Sequence, residues 1–280
     1  MKQKRLLTIQ DLSCFGKCSI TVALPIISAL GVETVVLPTA ILSSHTGFNE
    51  YTFMPMEDEI EKISKHWVKE KLSFDAIYVG YIGNIHLIEL VCEIIDKFKQ
   101  KDTVVLIDPA MADNGKLYKG FDEYYVKELY KLCYKADILT PNITEAMLLT
   151  GMSPNNSYDS GTIETVLKKL SEISNKIIVT GVQLYDKIYT YGYEKSLGSP
   201  VKIGADKIEG TFCGAGDVFS SSFIGSYLKD YNFKASLNTA CKYVNDCIDD
   251  TLKFGSPSNY GLVFENRLGN IIKYYNDEVK

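Results

Sequence analysis

The chain has 280 residues, 46% hydrophobic and 23% charged, with a net charge of −5 and no basic cluster. That length and apolar content can bury the core of one sizeable α/β domain, while the acidic balance argues against nucleic acid or an acidic membrane surface as a partner. Seven cysteines without a C-x-x-C pair fit the reduced thiols of a cytoplasmic protein, and Cys14 and Cys18 lack the second ligand pair a zinc site needs, which His45, His66 and His86 do not supply.

In chain order, Met1-Lys2-Gln3-Lys4-Arg5 leads into a short apolar run and then polar Gln10-Asp11, so no secretory signal is read. Arg5 to Gln10 reads as a buried strand and Ser19 to Leu30 as an apolar helix. The longest apolar stretch, Ile20 to Val32, is interrupted by Pro25 and Ser28 and is too short to span a bilayer. Thr34 to Pro38 is a second strand, and Glu57 to Lys71 a helix with Ile60, Ile63 and Trp67 on one stripe. Strand Ala76 to Tyr81, helix His86 to Lys99 and the β-branched strand Thr103 to Ile107 follow. Next come a helix over Phe121 to Tyr134, a short strand Asp137 to Thr140, helices Asn142 to Thr150 and Ile163 to Ser174, and strand Lys176 to Thr180. Tyrosine-rich alternation from Tyr185 to Ile203 predicts antiparallel strands, and helices Gly214 to Leu228 and Phe233 to Asp250 close the pattern. Regular βα alternation without repeats or a long linker predicts a single domain over 1–280, a doubly wound, mostly parallel sheet with helices on both faces.

In such sheets ligands bind beyond the carboxyl ends of the strands. Polar residues collect there: Gln10-Asp11, Tyr81-Ile82-Gly83-Asn84, Asp108 to Asp113, Thr140 to Glu145 and Thr180-Gly181. One rim thus brings together Asp11, Asp108, Asp113, Asn142, Glu145 and Asp217, each of which alone also reads as a helix cap or turn residue. The most informative stretch is Gly210-Thr211-Phe212-Cys213-Gly214-Ala215-Gly216-Asp217, entering an apolar helix. A glycine-rich helix start offers unpaired N–H groups to an anion, and a carboxylate beside them is placed to take a proton from a nucleophile attacking it. Phosphoryl transfer to a hydroxyl needs both. A dinucleotide fingerprint fails because Phe219 stands where its last glycine belongs, and a Walker A reading of Gly16-Lys17 fails at Asp11 and Cys18.

The chain resembles the ribokinase-like superfamily, and within it the pyridoxal kinase branch, along essentially its whole length. Gly214, Ala215 and Gly216 resemble that family's anion hole, and Asp217 its catalytic base. Asn142-Ile143-Thr144-Glu145 resembles the N-x-x-E element that organises Mg²⁺, and Asp108-Pro109 with Asp113 the D-P-x-x-x-D run beside the ATP phosphates. Ile9-Gln10 with Gly16, and Ser43-Ser44-His45-Thr46, resemble vitamin-binding segments, while Gly80-Tyr81-Ile82-Gly83 resembles the turn whose tyrosine flanks the pyridine ring. The resemblance implies ATP-dependent phosphorylation of the 5′-hydroxymethyl group of B6 vitamers. Asp11, Thr46, Tyr81 and Asp217 would meet the vitamer, and Asp108, Asp113, Asn142, Thr180 and Gly181 the nucleotide. Glu145 and Asp108 would serve Mg²⁺, with a monovalent cation admitted beside it. It further implies a minimal lid, because Pro38 to Glu57 leaves little room for one, a cytoplasmic setting and a homodimer.

Several positions keep two readings. Pyridoxal kinases commonly carry serine where this chain has Asp11, so the carboxylate either favours a cationic vitamer such as pyridoxamine or caps a helix starting near Ser13 or Ser19. Thr180-Gly181 either meets nucleotide phosphates or simply ends a strand. His45 is read as a shaping residue and Cys213 as packing. Alternative functions are a hydroxymethylpyrimidine or other small-molecule kinase, and a metabolite-binding regulatory protein on the same fold.

Overall fold

The computed structural model describes residues 2–154 and 158–279. The first half contains β1 (Arg5–Ser13), α1 (Ile20–Ala29), β2 (Glu33–Leu42), β3 (Phe53–Pro55), α2 (Glu57–Lys69), β4 (Ala76–Val79), α3 (Ile85–Phe98) and β5 (Val104–Ile107). A small hairpin of β6 (Ala112–Asp113) and β7 (Lys116–Leu117) follows, then α4 (Glu123–Cys133), β8 (Ile138–Leu139) and α5 (Ile143–Leu149). The remainder is α6 (Ser160–Leu170), β9 (Lys176–Leu184), β10 (Lys187–Glu194), β11 (Val201–Asp206), α7 (Ala215–Asp230), α8 (Phe233–Phe254) and α9 (Leu268–Glu278).

The main sheet has nine strands in the order β11-β10-β9-β8-β5-β4-β1-β2-β3. Pairing is parallel from β2 through β9 and antiparallel at both edges. Central strands are buried on both faces, as their continuous apolar runs require. Leu7, Ile9, Ile77, Val79, Val105 and Ile107 point to one side and meet α2 to α6. Leu6, Ala76, Tyr78, Leu106 and Ile138 point to the other and meet α1, α7 and α8. The doubly wound, mostly parallel sheet with helices on both faces therefore stands as expected, and the chain between β2 and α2 adds only the short edge strand β3.

Two boundaries differ from the expectation in ways that touch the site. β1 does not stop at Gln10: β1 and β2 stay paired to Ser13 and Leu42, with a one-residue register shift between Gln10 and Leu12. Asp11 thus lies inside a strand, opposite a bulge in which β2 carries the extra residue. Thr180-Gly181 does not end β9 either. The strand kinks there, with Gly181 at φ 70°, and continues to Leu184 by pairing antiparallel with β10. Its parallel part still finishes at Thr180, which bridges to Asn142.

Candidate active site

The strand order reverses between β1 and β4, where the chain passes from β2 back across β1, and crevices form at such points. Asp11 and Tyr81 line this one. Asp11 is buried and accepts a hydrogen bond from Ser13 Oγ at 2.8 Å. Burial pushes its carboxyl up, and the Ser19 and Ser13 hydroxyls partly offset this. It caps no helix: Ser19 is the N-cap of α1 and the cap has no side-chain bond. Tyr81 is half-buried, stacked on Phe121 with centroids 5.7 Å apart, and its phenol is pushed up by burial and by the nearby Asp11 and Tyr51.

The glycine turn needs its glycine. Gly214 has φ 73°, and a Cβ there would lie 2.1 Å from the carbonyl oxygen of Lys17. This lets the chain fold back into the 16-residue helix α7. Val218 N–H makes the first intrahelical bond, to Gly214, and Ala215 N–H donates to Phe212 at 3.3 Å. The N–H groups of Gly216 and Asp217 are left without a backbone partner, at the positive end of the helix. Asp217 is half-buried on that first turn. Burial, with Asp108 and Asp11 nearby, pushes its carboxyl up from 3.8 to about 7, against the backbone N–H of Ser19.

Asp108 follows β5 and is buried against the start of α7. Its Oδ2 accepts from Ser220 Oγ at 3.0 Å, and a Cβ on Gly216 would stand 3.9 Å from the same oxygen. Asn142 and Glu145 form a capping box on α5. Glu145 Oε2 accepts from Asn142 N–H at 2.8 Å, while Oε1 accepts from Met111 N–H at 3.0 Å and Ala112 N–H at 3.4 Å. Asn142 Nδ2 returns a bond to Ala112 O at 2.7 Å. This element therefore braces the loop that follows Asp108. Burial, and Asp108 beside it, push the Glu145 carboxyl well up. Asp113 is exposed at the β6–β7 hairpin and bonds its neighbour Asn114, and Thr144 Oγ1 holds that hairpin through Gly115 N–H at 3.0 Å. Thr180 N–H donates to Pro141 O at 3.0 Å, so Thr180 and Gly181 stand beside Asn142.

Thr46 sits in an exposed turn closed by Phe48 N–H to His45 O at 3.1 Å. His45 shapes that turn. Gly47 N–H donates to Nδ1 at 3.1 Å, so Nε2 carries the proton and donates to Asn259 O at 2.8 Å. Phe48 lies tilted against the His45 ring, centroids 4.8 Å apart, and Phe15 packs on Phe48 and edge to face on Tyr260. Cys213 lies against this layer, its Sγ 3.9 Å from a Cβ built on Gly47.

Among the described residues no lysine or arginine forms an ion pair with Asp11, Asp108, Asp113, Glu145 or Asp217. Neither do they contain a closed cage of His, Cys, Asp or Glu ligands. An acidic cleft with no internal counter-charge fits Mg²⁺, which takes oxygen ligands, keeps waters and relies on one or two carboxylates plus phosphates. The sequence placed Thr140 and Thr144 on the rim without a role of their own, and gave no site role to Ser220, Phe121 or the strap from Ser256 to Gly261, whose Pro, Ser, Asn and Gly content marks only a loop.

An αβα kinase-like fold with a glycine turn feeding one helix and a carboxylate rim defines the class, and residues 6–262 match the phosphomethylpyrimidine kinase family, to which this chain belongs. In structure it is similar to a Bacteroides thetaiotaomicron protein described as a phosphomethylpyrimidine kinase and crystallised with pyridoxal, at TM-score 0.93 and 32% identity over 96% of each chain. It is similar also to the pyridoxal kinase of Lactobacillus plantarum, at TM-score 0.89 and 26% identity over 99% of each chain. In sequence it is similar to the Arabidopsis thaliana pyridoxal kinase, 25% identical over 229 residues, covering 79% of this chain and 73% of that one. The resemblance to pyridoxal kinases read from the motifs is borne out.

Proposed function

We propose that the chain transfers the terminal phosphoryl group of ATP to the 5′-hydroxymethyl group of the B6 vitamers pyridoxal, pyridoxamine and pyridoxine. The observation that carries this reading is Asp217, a carboxylate held near neutrality on the first turn of a helix whose adjoining N–H groups are open. Asp217 takes the hydroxymethyl proton as the oxygen attacks phosphorus. The turn Gly214-Ala215-Gly216 meets the charge that develops on the transferred group. Tyr81 lies along the ring, and Asp11 and Thr46 face its polar substituents. Asp108, Asp113, Asn142, Thr180 and Gly181 flank the nucleotide phosphates.

When bound, Mg²⁺ supplies charge neutralisation between those phosphates. Asp108 would hold it, with Glu145 acting through the loop it braces, since both Glu145 oxygens already accept N–H bonds. A monovalent cation, a homodimer and a cytoplasmic setting complete the reading. The last is supported by seven free cysteines. Among the described residues no helix is long and apolar enough to cross a membrane.

A second substrate, hydroxymethylpyrimidine, is favoured by the description of the family itself. A coupled ATPase assay against pyridoxal, pyridoxamine, pyridoxine and hydroxymethylpyrimidine separates the two. Turnover highest with a B6 vitamer supports the proposal. Turnover confined to the pyrimidine, or none at all, overturns it.

A further inference from the structure

Three serines follow Phe219 on α7, and each does something different. Ser222 turns its hydroxyl back onto Val218 O at 2.5 Å, and the buried Ser221 hydroxyl has no hydrogen bond of good geometry among the described residues. Ser220, one helical turn after Asp217, reaches out of the helix into the acidic cluster. Its Oγ lies 3.0 Å from Asp108 Oδ2 and 3.0 Å from Thr140 Oγ1, all within buried surroundings. A serine has one proton to give, and an ionised carboxylate only accepts. Ser220 therefore donates to Asp108, and Thr140 donates to Ser220. The chain of hydroxyls joins the loop after β8, the helix that carries Asp217, and the end of β5.

We propose that Ser220 is a positioning residue, which pins Asp108 Oδ2 against the start of α7 and leaves Oδ1, free of hydrogen bonds among the described residues, for the metal–nucleotide complex. The inference rests on the phosphoryl-transfer reading above. Without the Ser220 bond, Asp108 keeps its charge but loses its anchor on the reactive helix, so the metal–nucleotide complex loses a pre-set ligand. Partners that orient a metal's ligands typically govern affinity by about ten- to a hundredfold.

The test uses Ser220→Ala, Thr140→Val, and Ser226→Ala as a control, since Ser226 lies further along the same helix with a buried, unpartnered hydroxyl. Binding of Mn²⁺ in the presence of ADP, followed by the paramagnetic resonance of free Mn²⁺, should weaken about tenfold in Ser220→Ala. It should weaken by less in Thr140→Val and stay at the parental value in Ser226→Ala. In turnover, Ser220→Ala should raise the Mg²⁺ half-saturation and the KM for ATP, with the vitamer KM unchanged, and Ser220→Thr, which keeps the hydroxyl, should restore them. Parental Mn²⁺–ADP binding by Ser220→Ala overturns the inference, as does an equal loss in Ser226→Ala. A parent protein that phosphorylates no vitamer defeats the phosphoryl-transfer reading instead, and the Mn²⁺–ADP comparison still decides the role of Ser220.

Discussion

Asp217 combines two properties that pull against each other. A general base works best with a pKa near the working pH, and the half-buried position that brings Asp217 there also makes its charge costly. Asp217→Asn should lower kcat by about two orders of magnitude or more while vitamer binding changes little. A folded variant with near-parental kcat would sink the assignment. Asp11 is another carboxylate that no lysine or arginine pairs among the described residues, although Ser13 donates a hydrogen bond to it. A vitamer bearing an ammonium group supplies a cationic partner, whereas the aldehyde of pyridoxal does not. A charge-assisted hydrogen bond of about 1.5–3 kcal/mol makes Asp11→Ser lower the pyridoxamine-to-pyridoxal ratio of kcat/KM by roughly ten- to a hundredfold. An unchanged ratio would assign Asp11 to the ring nitrogen that all vitamers share. Asn142, Glu145 and Asp217 were placed by short, fixed spacings at helix starts, where they stand, whereas Asp11, read beyond the end of β1, lies within it. The Ser220–Thr140 bond was not legible, because it joins positions 80 residues apart and exists only once the sheet is assembled.

At the level of elements, the start of α5 works as a brace. Glu145 gathers the N–H groups of Asn142, Met111 and Ala112, and so fixes the loop between Asp108 and the hairpin that carries Asp113. Glu145→Ala would leave these buried donors unpaired. It should raise the Mg²⁺ half-saturation and the KM for ATP more than the vitamer KM, and lower the melting temperature as well. Superimposable Mg²⁺ titrations of variant and parent would refute this. The long periodic helices and the β-branched strands were readable to within a few residues. The edge strand β3 and the hairpin of β6 and β7 were not, since two or three residues carry no period. α9 went unread although Ile271 and Tyr275, four apart, form its buried stripe. The extension of β9 past Gly181 depends on its partner β10 and is invisible in β9 alone.

For the whole molecule, the acidic rim sets a relation between pH and stability. Asp11, Asp108, Glu145 and Asp217 all hold their protons more tightly in the fold than the unfolded chain does. For Asp217, the unfolded chain has released its proton above 3.8 while the folded protein keeps it to about 7. Folding is thus penalised progressively as pH rises through that window. Asp217→Asn should therefore melt with the parent below pH 3.8 and above it at neutral pH, the gap opening between 3.8 and about 7. A gap independent of pH would show that the difference lies in packing.

The left-handed turn at Gly214 rests on the carbonyl of Lys17, and Gly261 approaches the same carbonyl, while Asn259 receives the proton of His45. The glycine turn is thus a joint between segments far apart in the sequence. A chain with Asp11, Asp108 and Asp217 in its sequence still lacks the seated turn until Lys17, Gly214 and Gly261 have met. The turn is consequently seated only by contacts between distant parts of the chain, of the kind whose loop-closure cost makes them slow to form in folding.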